Sequence, residues 1–441
     1  MRDAVIVSAV RTPVGGFAGD FKDVPATELG AHAVRAALQR AGISGDEVEE
    51  VVLGCVLQAG LGQNPARQSA IAAGIPKEVP STTINMLCGS GLKSVAIASQ
   101  MIRAGDADVV VAGGMENMTR SPYLVPAARF GARTGDAEVV DSMVHDGLWD
   151  AVNHIHMGVT AENLADQYGI GRDEQDEFAA DSQHRAERAV ADGVFKEEIV
   201  LPVKDGTRIV DNDEHPRPGT TAAALSKLRA AFCRDGGTVT AGNASGVNDG
   251  AAAIVVMSAR RGRERGLRTF GTVESHASVG VEPKIMGIGP VPAVRKALTR
   301  AGLELADIDL FELNEAFAAQ SLAVLRELDI DIDIDRINPH GGAIALGYPI
   351  GASGGRILVT LLHEMRRRNA GRGLATLCVG GGQGQVAVIR NGTNRPRDGA
   401  AWRSPAMRSA RTTGSRVDDG DMAPLDTPEP PTALTPADRP H

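Results

Sequence analysis

Two cysteines in glycine-rich turns are the residues of this chain best suited to covalent chemistry. Cys88 lies in Asn85-Met86-Leu87-Cys88-Gly89-Ser90-Gly91-Leu92-Lys93-Ser94. Before it, Val79 to Ile84 reads as a strand entry; after it, Leu92, Val95, Ala96, Ser99, Met101 and Ile102 recur at helical spacing as far as Ala104-Gly105. A thiol at a helix start faces the positive end of the dipole, so the sequence predicts a thiolate favoured over the ordinary cysteine pKa of about 8.5. Gly89 and Gly91 let a substrate approach the backbone and leave N–H groups free for an oxyanion. A buried structural cysteine beside a glycine turn is the competing reading. Near the other end stands Cys378-Val379-Gly380-Gly381-Gly382-Gln383-Gly384. Asn314-Glu315-Ala316-Phe317, and Asn338-Pro339-His340-Gly341-Gly342 running on to Gly351-Ala352-Ser353-Gly354, also fall where strands should end. Open α/β sheets bind ligands at such ends. Two cysteines at equivalent ends of two halves pair a nucleophile with a second acid/base. The glycines after Cys378 also read as a phosphate loop, but no strand–loop–helix with a following acidic residue supports a dinucleotide site.

The elements that must hold these residues follow an α/β plan. Ala4 to Ala9 is a buried-type strand, with Arg11-Thr12-Pro13-Val14-Gly15-Gly16 as a loop. Thr27 is expected to cap a helix to about Arg40, stopped by Gly42. Val51-Val52-Leu53-Gly54 is a strand, Ala66 to Ala73 a helix, and Asp108 to Ala112 a strand expected to end at Gly113-Gly114. The plan then repeats. Leu38-Gln39-Arg40-Ala41-Gly42, Asp46 and Val51-Val52-Leu53 are echoed by Leu298-Thr299-Arg300-Ala301-Gly302, Asp307 and Leu310-Phe311-Glu312. The Cys88 turn and its helix are echoed by Gly347 to Ser353 and a helix over about Gly354 to Arg368; Leu374 to Cys378 into Gly380-Gly381-Gly382 echoes the strand into Gly113-Gly114. Two βαβαβ halves are expected. Between them, about 115–270, lie loops, a charged helix (Asp173 to Asp192) and the polar, proline-bearing Asp205 to Thr220. Such an insertion suits substrate-binding loops.

Composition narrows the function classes. The chain has 441 residues, enough for two or three domains and a sizeable core. Its net charge is −9, from 46 basic and 55 acidic residues, which argues against a general nucleic-acid binder. Aromatics are 3% and glycines number 52, as in α/β enzymes packed through small residues. Four scattered cysteines (Cys55, Cys88, Cys233, Cys378) fit neither a disulfide framework nor a zinc site, and point to a reducing compartment. No signal segment precedes the first strand and no apolar run could span a bilayer, so a soluble, cytoplasmic protein without a membrane partner is expected. Leu328 to Asp335 alternates apolar and acidic residues; lacking ligand partners, it reads as a solvated face and not a metal site. The tail 391–441 carries eight of the 23 prolines and almost no large apolar residues, and is expected to be disordered.

Taken together, these motifs resemble the thiolase family, the acetyl-CoA acetyltransferases and 3-ketoacyl-CoA thiolases. The resemblance runs from about residue 3 to 390. It rests on the Cys-Gly-Ser-Gly turn at 88–91, Gly113-Gly114-Met115-Glu116-Asn117-Met118, His156-Met157-Gly158-Val159-Thr160-Ala161-Glu162, Gly242-Asn243-Ala244-Ser245-Gly246, Asn314-Glu315-Ala316-Phe317 and the cysteine–glycine run at 378–382. It implies an α/β fold of duplicated βαβαβ halves in a five-layered α/β/α/β/α core plus a loop domain. The halves would be 1–118 with 247–270, and 271–390, with the loop domain at 119–246. It also implies acyl transfer without a resident cofactor or metal, on acyl-CoA and CoA, in a homodimer or homotetramer. Cys88 would take an acyl group as a thioester. Cys378 would remove the α-proton of acetyl-CoA for a Claisen-type condensation, thiolysis being the reverse. The N–H groups of Cys88 and Gly380 would form one oxyanion hole, and Asn314 would hold a water of the other. Coenzyme A would lie against Leu148, His156, Met157, Arg217, Phe232, Ala241, Ser245, Met286, Ala316 and Phe317.

One position departs from the family. Where its Gly-X-Pro-Ile-Gly segment carries an activating histidine, this chain has Tyr348. His340 belongs to another motif and does not inherit the role. Tyrosine, with a pKa of about 10, is a poor base at neutral pH but still donates a hydrogen bond. The leading expectation is a thiolase-type acyltransferase; the alternative is a catalytically weakened member acting as a binding or scaffold subunit. A β-ketoacyl synthase would need a histidine pair that is missing, and a nicotinamide oxidoreductase the absent glycine fingerprint.

Overall fold

The structure, a computed structural model, describes residues 2–200, 203–204, 208–330 and 335–392. Most of the expected tail, from 393 on, therefore lies outside the described residues, as do 331–334 of the alternating acidic stretch and 205–207 of the polar segment.

The first half orders its strands β3-β2-β4-β5-β1: β1 Ala4–Arg11, β2 Glu50–Gly54, β3 Ser81–Ile84, β4 Val109–Asn117 and β5 Asn248–Ser258. The second half repeats the order with β6 Gly271–Gly280, β7 Leu310–Leu313, β8 Arg372–Val379 and β9 Gln383–Arg390 as β7-β8-β9-β6. Pairing sense repeats too: β2 and β4 are parallel, as are β7 and β8; β3 joins β2 in parallel at the edge, and the remaining neighbours are antiparallel. A parallel bridge from Phe311 to Ile337 stands where β3 stands in the first half. Even the bulges correspond, at Ile6–Ser8 and at Val273–Ser275. The halves meet edge to edge at one short contact, Val5 and Ile6 against Thr272 and Gly271.

Strand alternation builds the layers. Val51, Leu53, Val109 and Val111 pack outward on α1 (Ala26–Ala41) and α2 (Pro65–Ala72). Val52, Val110 and Ala112 point inward, as do Ala375, Leu377 and Val379 of the other half. Between these inner faces lie α3 (Ser90–Ala104) and the helix Ser353–Arg368, named α8 below. The far side is closed by Pro290–Ala301 (α6) and Ala318–Glu327 (α7), against Phe311, Leu313, Leu374 and Val386. Helices α4 (Met157–Tyr168) and α5 (Arg172–Ala191) belong to the inserted segment. The middle helices touch through glycine. A Cβ on Gly91 would lie 2.6 Å from Gly355 N, and one on Gly354 would lie 2.5 Å from Leu92 N, so the crossing is symmetric.

Two expectations about elements need correction. Helix α1 begins after Pro25 with no side-chain cap, and Thr27 lies inside it; a proline there fixes φ at −57° and supplies the entry without a hydroxyl. Strand β4 runs through Gly113 and Gly114 to Asn117. Those glycines admit neighbours: a Cβ on Gly114 would lie 2.1 Å from Gly351 O. Among the described residues no helix is long and apolar enough to cross a membrane.

Candidate active site

The chain reaches Cys88 through a tight left-handed step. Leu87 has φ +47°, its N–H donates to Asn85 Oδ1 at 2.9 Å, and its carbonyl accepts from Ser90 Oγ at 2.7 Å. Ser90 Oγ also accepts the Met86 N–H at 2.9 Å, so one hydroxyl ties both sides of the turn. Gly89 is tight as well: a Cβ would meet Val379 at 3.0 Å. Cys88 ends up buried at the mouth of α3, beside Tyr348 in the middle-layer core.

Burial dominates its electrostatics. Loss of water pushes the Cys88 thiol up, against the opposing pull of the Tyr348 hydroxyl and the backbone N–H groups of Gly380 and Cys88 itself. The expected thiolate preference is thus overturned: the N–H groups are where the glycine turn should put them, but they only reduce the cost of burial. Cys378, fully buried at the end of β8, is pushed up by burial and then by the charge of Cys88. Tyr348 is raised by burial, then by both cysteines. Its hydroxyl makes no hydrogen bond of ordinary geometry, so its effect on Cys88 is a close approach and not a completed bond. Among the described residues no carboxylate or imidazole acts on either sulfur.

Cys378 is not the mirror image of Cys88, so the expectation of two cysteines at equivalent ends of the halves needs correction, while the echo of the Cys88 turn at Gly347 to Ser353 stands. The register pairs Leu53 with Gly113 and Leu313 with Thr376, so the counterpart of Cys378 on β4 is Met115. Counting back from the helix starts Ser90 and Ser353, the counterpart of Cys88 is Gly351. That second crevice is closed. Gly351 N–H and Val56 N–H donate to Glu116 Oε2 at 2.9 and 3.0 Å, and Leu57 N–H to Oε1 at 3.1 Å. Burial raises the Glu116 carboxyl to about 7 against those donors.

The residues expected to meet coenzyme A largely converge. Met157, Met286, Ala316 and Phe317 share one apolar cluster with Cys378, and Phe232 packs on it. His156 stacks on Phe232 at 4.7 Å, and Phe232 meets Phe317 edge-on at 6.2 Å. His156 also caps α4, Nδ1 accepting the Gly158 N–H at 3.0 Å, and burial pulls its pKa down. Ser245 N–H donates to Ala316 O at 3.0 Å. Leu148 packs instead against the middle-layer core. Arg217 and Ala241 are exposed, Arg217 being anchored by its N–H to Gln183 Oε1 at 2.9 Å. Asn314 is buried with neither Oδ1 nor Nδ2 partnered, the condition of a side chain that can hold a water. Gly380 faces Leu87 and Met157, and a Cβ there would come within 2.8 Å of Leu87.

Sequence reasoning missed Asn248, whose Oδ1 accepts the Tyr348 N–H at 2.8 Å, and the clamp made by Glu116. Glu116 lies in a motif read for other residues and Asn248 just beyond one, and the partners of both are distant in sequence. A cavity of about 1020 Å³, lined among others by Ser8, Arg40, Phe270 and His363, sits toward the opposite end of α8 from Tyr348, away from the thiols. Among the described residues no group of His, Cys, Asp and Glu is arranged to hold a metal ion.

Comparison with known proteins agrees with this architecture. The thiolase N-terminal domain family matches residues 4–260, and the thiolase C-terminal domain family residues 267–391. An acetyl-CoA acetyltransferase of Pseudomonas aeruginosa is 58% identical over 393 residues, covering 88% of this chain and 99% of that protein. One from Cupriavidus necator is 56% identical over 393 residues with the same coverage. The crystal structure of the Bacillus anthracis acetyl-CoA acetyltransferase superposes with a TM-score of 0.86 at 45% identity, covering 89% of this chain and 99% of that one. The chain belongs to the thiolase family and is a thiolase-type acyltransferase.

Proposed function

We propose that this enzyme forms or cleaves a short 3-ketoacyl-CoA, acetoacetyl-CoA foremost, through an acyl-Cys88 thioester. The supporting observation is that Cys88 and Cys378 are both buried and free, the charge of Cys88 acting on Cys378 and both cysteines acting on the Tyr348 hydroxyl. Cys88 attacks the thioester carbonyl and expels the CoA thiolate, which takes up a proton. The N–H groups of Cys88 and Gly380 face the sulfur, and so the oxyanion that forms beside it. Cys378 then removes an α-proton from acetyl-CoA, and the carbanion attacks the acyl carbonyl and releases Cys88. A water on Asn314 would polarise the acetyl-CoA carbonyl. The aromatic stack of His156, Phe232 and Phe317, with Met157, Met286, Ala316 and Ser245, leads the pantetheine arm to the thiols. Arg217 and Ala241 would serve farther out, and Leu148 beside the middle-layer core that holds Cys88. Apart from CoA thioesters, no cofactor enters the scheme.

Tyr348 favours a second reading, a weakened member that binds acyl groups beside an active partner, because a buried phenol is no base at neutral pH. Intact-protein mass spectrometry separates the two: acetyl-CoA should add one acetyl group to Cys88, and free CoA should then appear continuously. An adduct without turnover would favour the weakened member, and no adduct would refute Cys88 as acyl carrier.

The same reading includes the division 1–118 with 247–270, 119–246 and 271–390, a cytoplasmic location and a homodimer or homotetramer. Four free cysteines suit a reducing cytoplasm. Strand β3 ends the sheet with an open edge, and a hairpin of Tyr123–Leu124 with Val140–Asp141 carries Tyr123 and Phe130, 66% and 80% exposed. Open edges and apolar patches favour self-association. Light scattering at micromolar concentration tests this, and a monomer would contradict it.

A further inference from the structure

Three buried polar side chains of the middle layer lack the partners that burial demands. The Tyr348 hydroxyl is one. Arg356 is 2% exposed, and its Nε, Nη1 and Nη2 are all unpartnered. Glu312 has an unpartnered Oε1, and its Oε2 stands 3.7 Å from Arg356 Nη1, too far for a hydrogen bond. The fold explains their meeting. Glu312 follows Leu310 in pointing inward from β7, while Phe311 and Leu313 point outward. Arg356 is in the first turn of α8, and its charge acts on both Glu312 and the Tyr348 hydroxyl. Other charges reach Arg356 but are engaged elsewhere. Glu198 binds Arg11 at 2.7 Å, and Glu315 binds Ser182 and Asn338 at 2.6 and 2.8 Å. Of these carboxylates only Glu312 keeps a buried unpartnered oxygen.

A buried guanidinium with none of its donors used is among the most expensive arrangements a core can hold. Internal water is the usual remedy, making about three hydrogen bonds to such groups. Arginine has donors and no acceptor. A water bonded to Arg356 therefore receives at its oxygen and must give its hydrogens to other atoms. The acceptors at hand are Glu312 Oε1 and the Tyr348 oxygen. A phenol that accepts from this water keeps its own O–H to give, and the Cys88 sulfur is the group it faces.

We propose that Arg356 is a positioning residue: through internal water it fixes the Tyr348 hydroxyl as a donor toward Cys88, with the Glu312 carboxyl as a second acceptor for that water. The chain of donors runs one way, from Arg356 to water to Tyr348 to sulfur. The inference rests on Cys88 being the nucleophile of the proposed function, but its test needs no turnover. Alkylation of Cys88 by iodoacetamide, followed by peptide mass spectrometry across pH, reports directly how available the thiolate is.

Arg356→Met keeps the stem and removes every donor. It should slow Cys88 alkylation by about tenfold or more, the worth of one charge-assisted hydrogen bond, and move the pH midpoint upward. Arg356→Lys retains a donor-only cation and should recover most of that loss. In a Tyr348→Phe background Arg356→Met should change nothing further, because the relay has already lost its last member. An equal slowing in both backgrounds, or Arg356→Lys no better than Arg356→Met, would overturn the proposal and leave Arg356 a packing residue. Should Arg356→Met not fold, Arg356→Lys carries the cycle: its effect must vanish with Tyr348→Phe, and one that persists overturns the relay. Failure to accept acetyl from acetyl-CoA would count against the proposed function and leave this result standing.

Discussion

The backbone N–H of Tyr348 donates to Asn248 Oδ1 at 2.8 Å, joining positions 100 residues apart. Asn248 Nδ2 donates in turn to Gly15 O at 3.0 Å, so one buried amide holds the loop before α8 against the loop after β1. The backbone is committed here: Gly347 has φ +92°, and a Cβ on it would come within 2.7 Å of Val14 and 2.8 Å of Asn248. Asn248→Leu strands two buried backbone groups. It should cost about 2–4 kcal/mol in denaturant unfolding, and lower kcat more than KM because the phenol loses its aim. Wild-type kcat in this variant would show that Tyr348 is placed by something else.

Tyr348 itself is tested by restoring an imidazole. A positioned base contributes roughly 10²–10⁴ in rate, and one oxyanion donor about 10²–10³, part of which a phenol recovers. The wild type should therefore acylate readily and turn over slowly. Tyr348→His should raise thiolysis of acetoacetyl-CoA by roughly tenfold or more, with little change in acyl-Cys88 yield. Tyr348→Phe should slow acylation. If the wild type runs at ordinary thiolase rates and Tyr348→His is no faster, the phenol is an adequate substitute.

The two thiols should separate cleanly by assay. Cys88→Ser should abolish the covalent acyl adduct. Cys378→Ala should still acylate at Cys88 yet lose exchange of the acetyl-CoA α-protons with deuterated water. Normal exchange would remove Cys378 from proton transfer, and an adduct on another residue would remove Cys88 from acyl transfer.

Glu312 gives a pH signature. Burial raises its carboxyl from 4.5 to about 8, only partly offset by Arg356. The folded state therefore holds this proton more tightly than the unfolded one. The stability it contributes is complete below 4.5 and is lost as pH rises through about 8. Glu312→Gln cannot ionise. Relative to wild type it should become more stable as pH goes from 5 to 9, by more than about 1 kcal/mol, since one pKa unit corresponds to roughly 1.4. A stability difference independent of pH would mean that Glu312 titrates normally.

The repeat was legible because its signals are local. Leu38 to Gly42 and Leu298 to Gly302 are both helix ends of the pattern Leu-X-Arg-Ala stopped by glycine, and both glycines adopt φ 65°, ψ 35°. The Cys88 turn was legible for the same reason. What remained hidden depends on distance. A helix start can be seen in a sequence, but the depth of burial that outweighs it at Cys88 cannot. The glycines of β4 look like a strand end until Gly351 arrives from another part of the chain to fill the space they leave. Asn248, Arg356 and Glu312 each read as ordinary polar residues, because what they face is brought to them by the fold.

The pairing of Cys88 with Gly351, and of Cys378 with Met115, has a consequence for stoichiometry. The repeated plan gives the chain two corresponding crevices, each lying between a middle-helix entry and a strand end of the opposite half. In one the entry carries sulfur and faces a second sulfur. In the other the entry is glycine, and the Glu116 carboxylate has drawn its amide shut. The fold repeats and the chemistry does not, so under the proposed function each polypeptide would load a single acyl group. The silent crevice has become the rivet that holds the loop beneath Tyr348 in place.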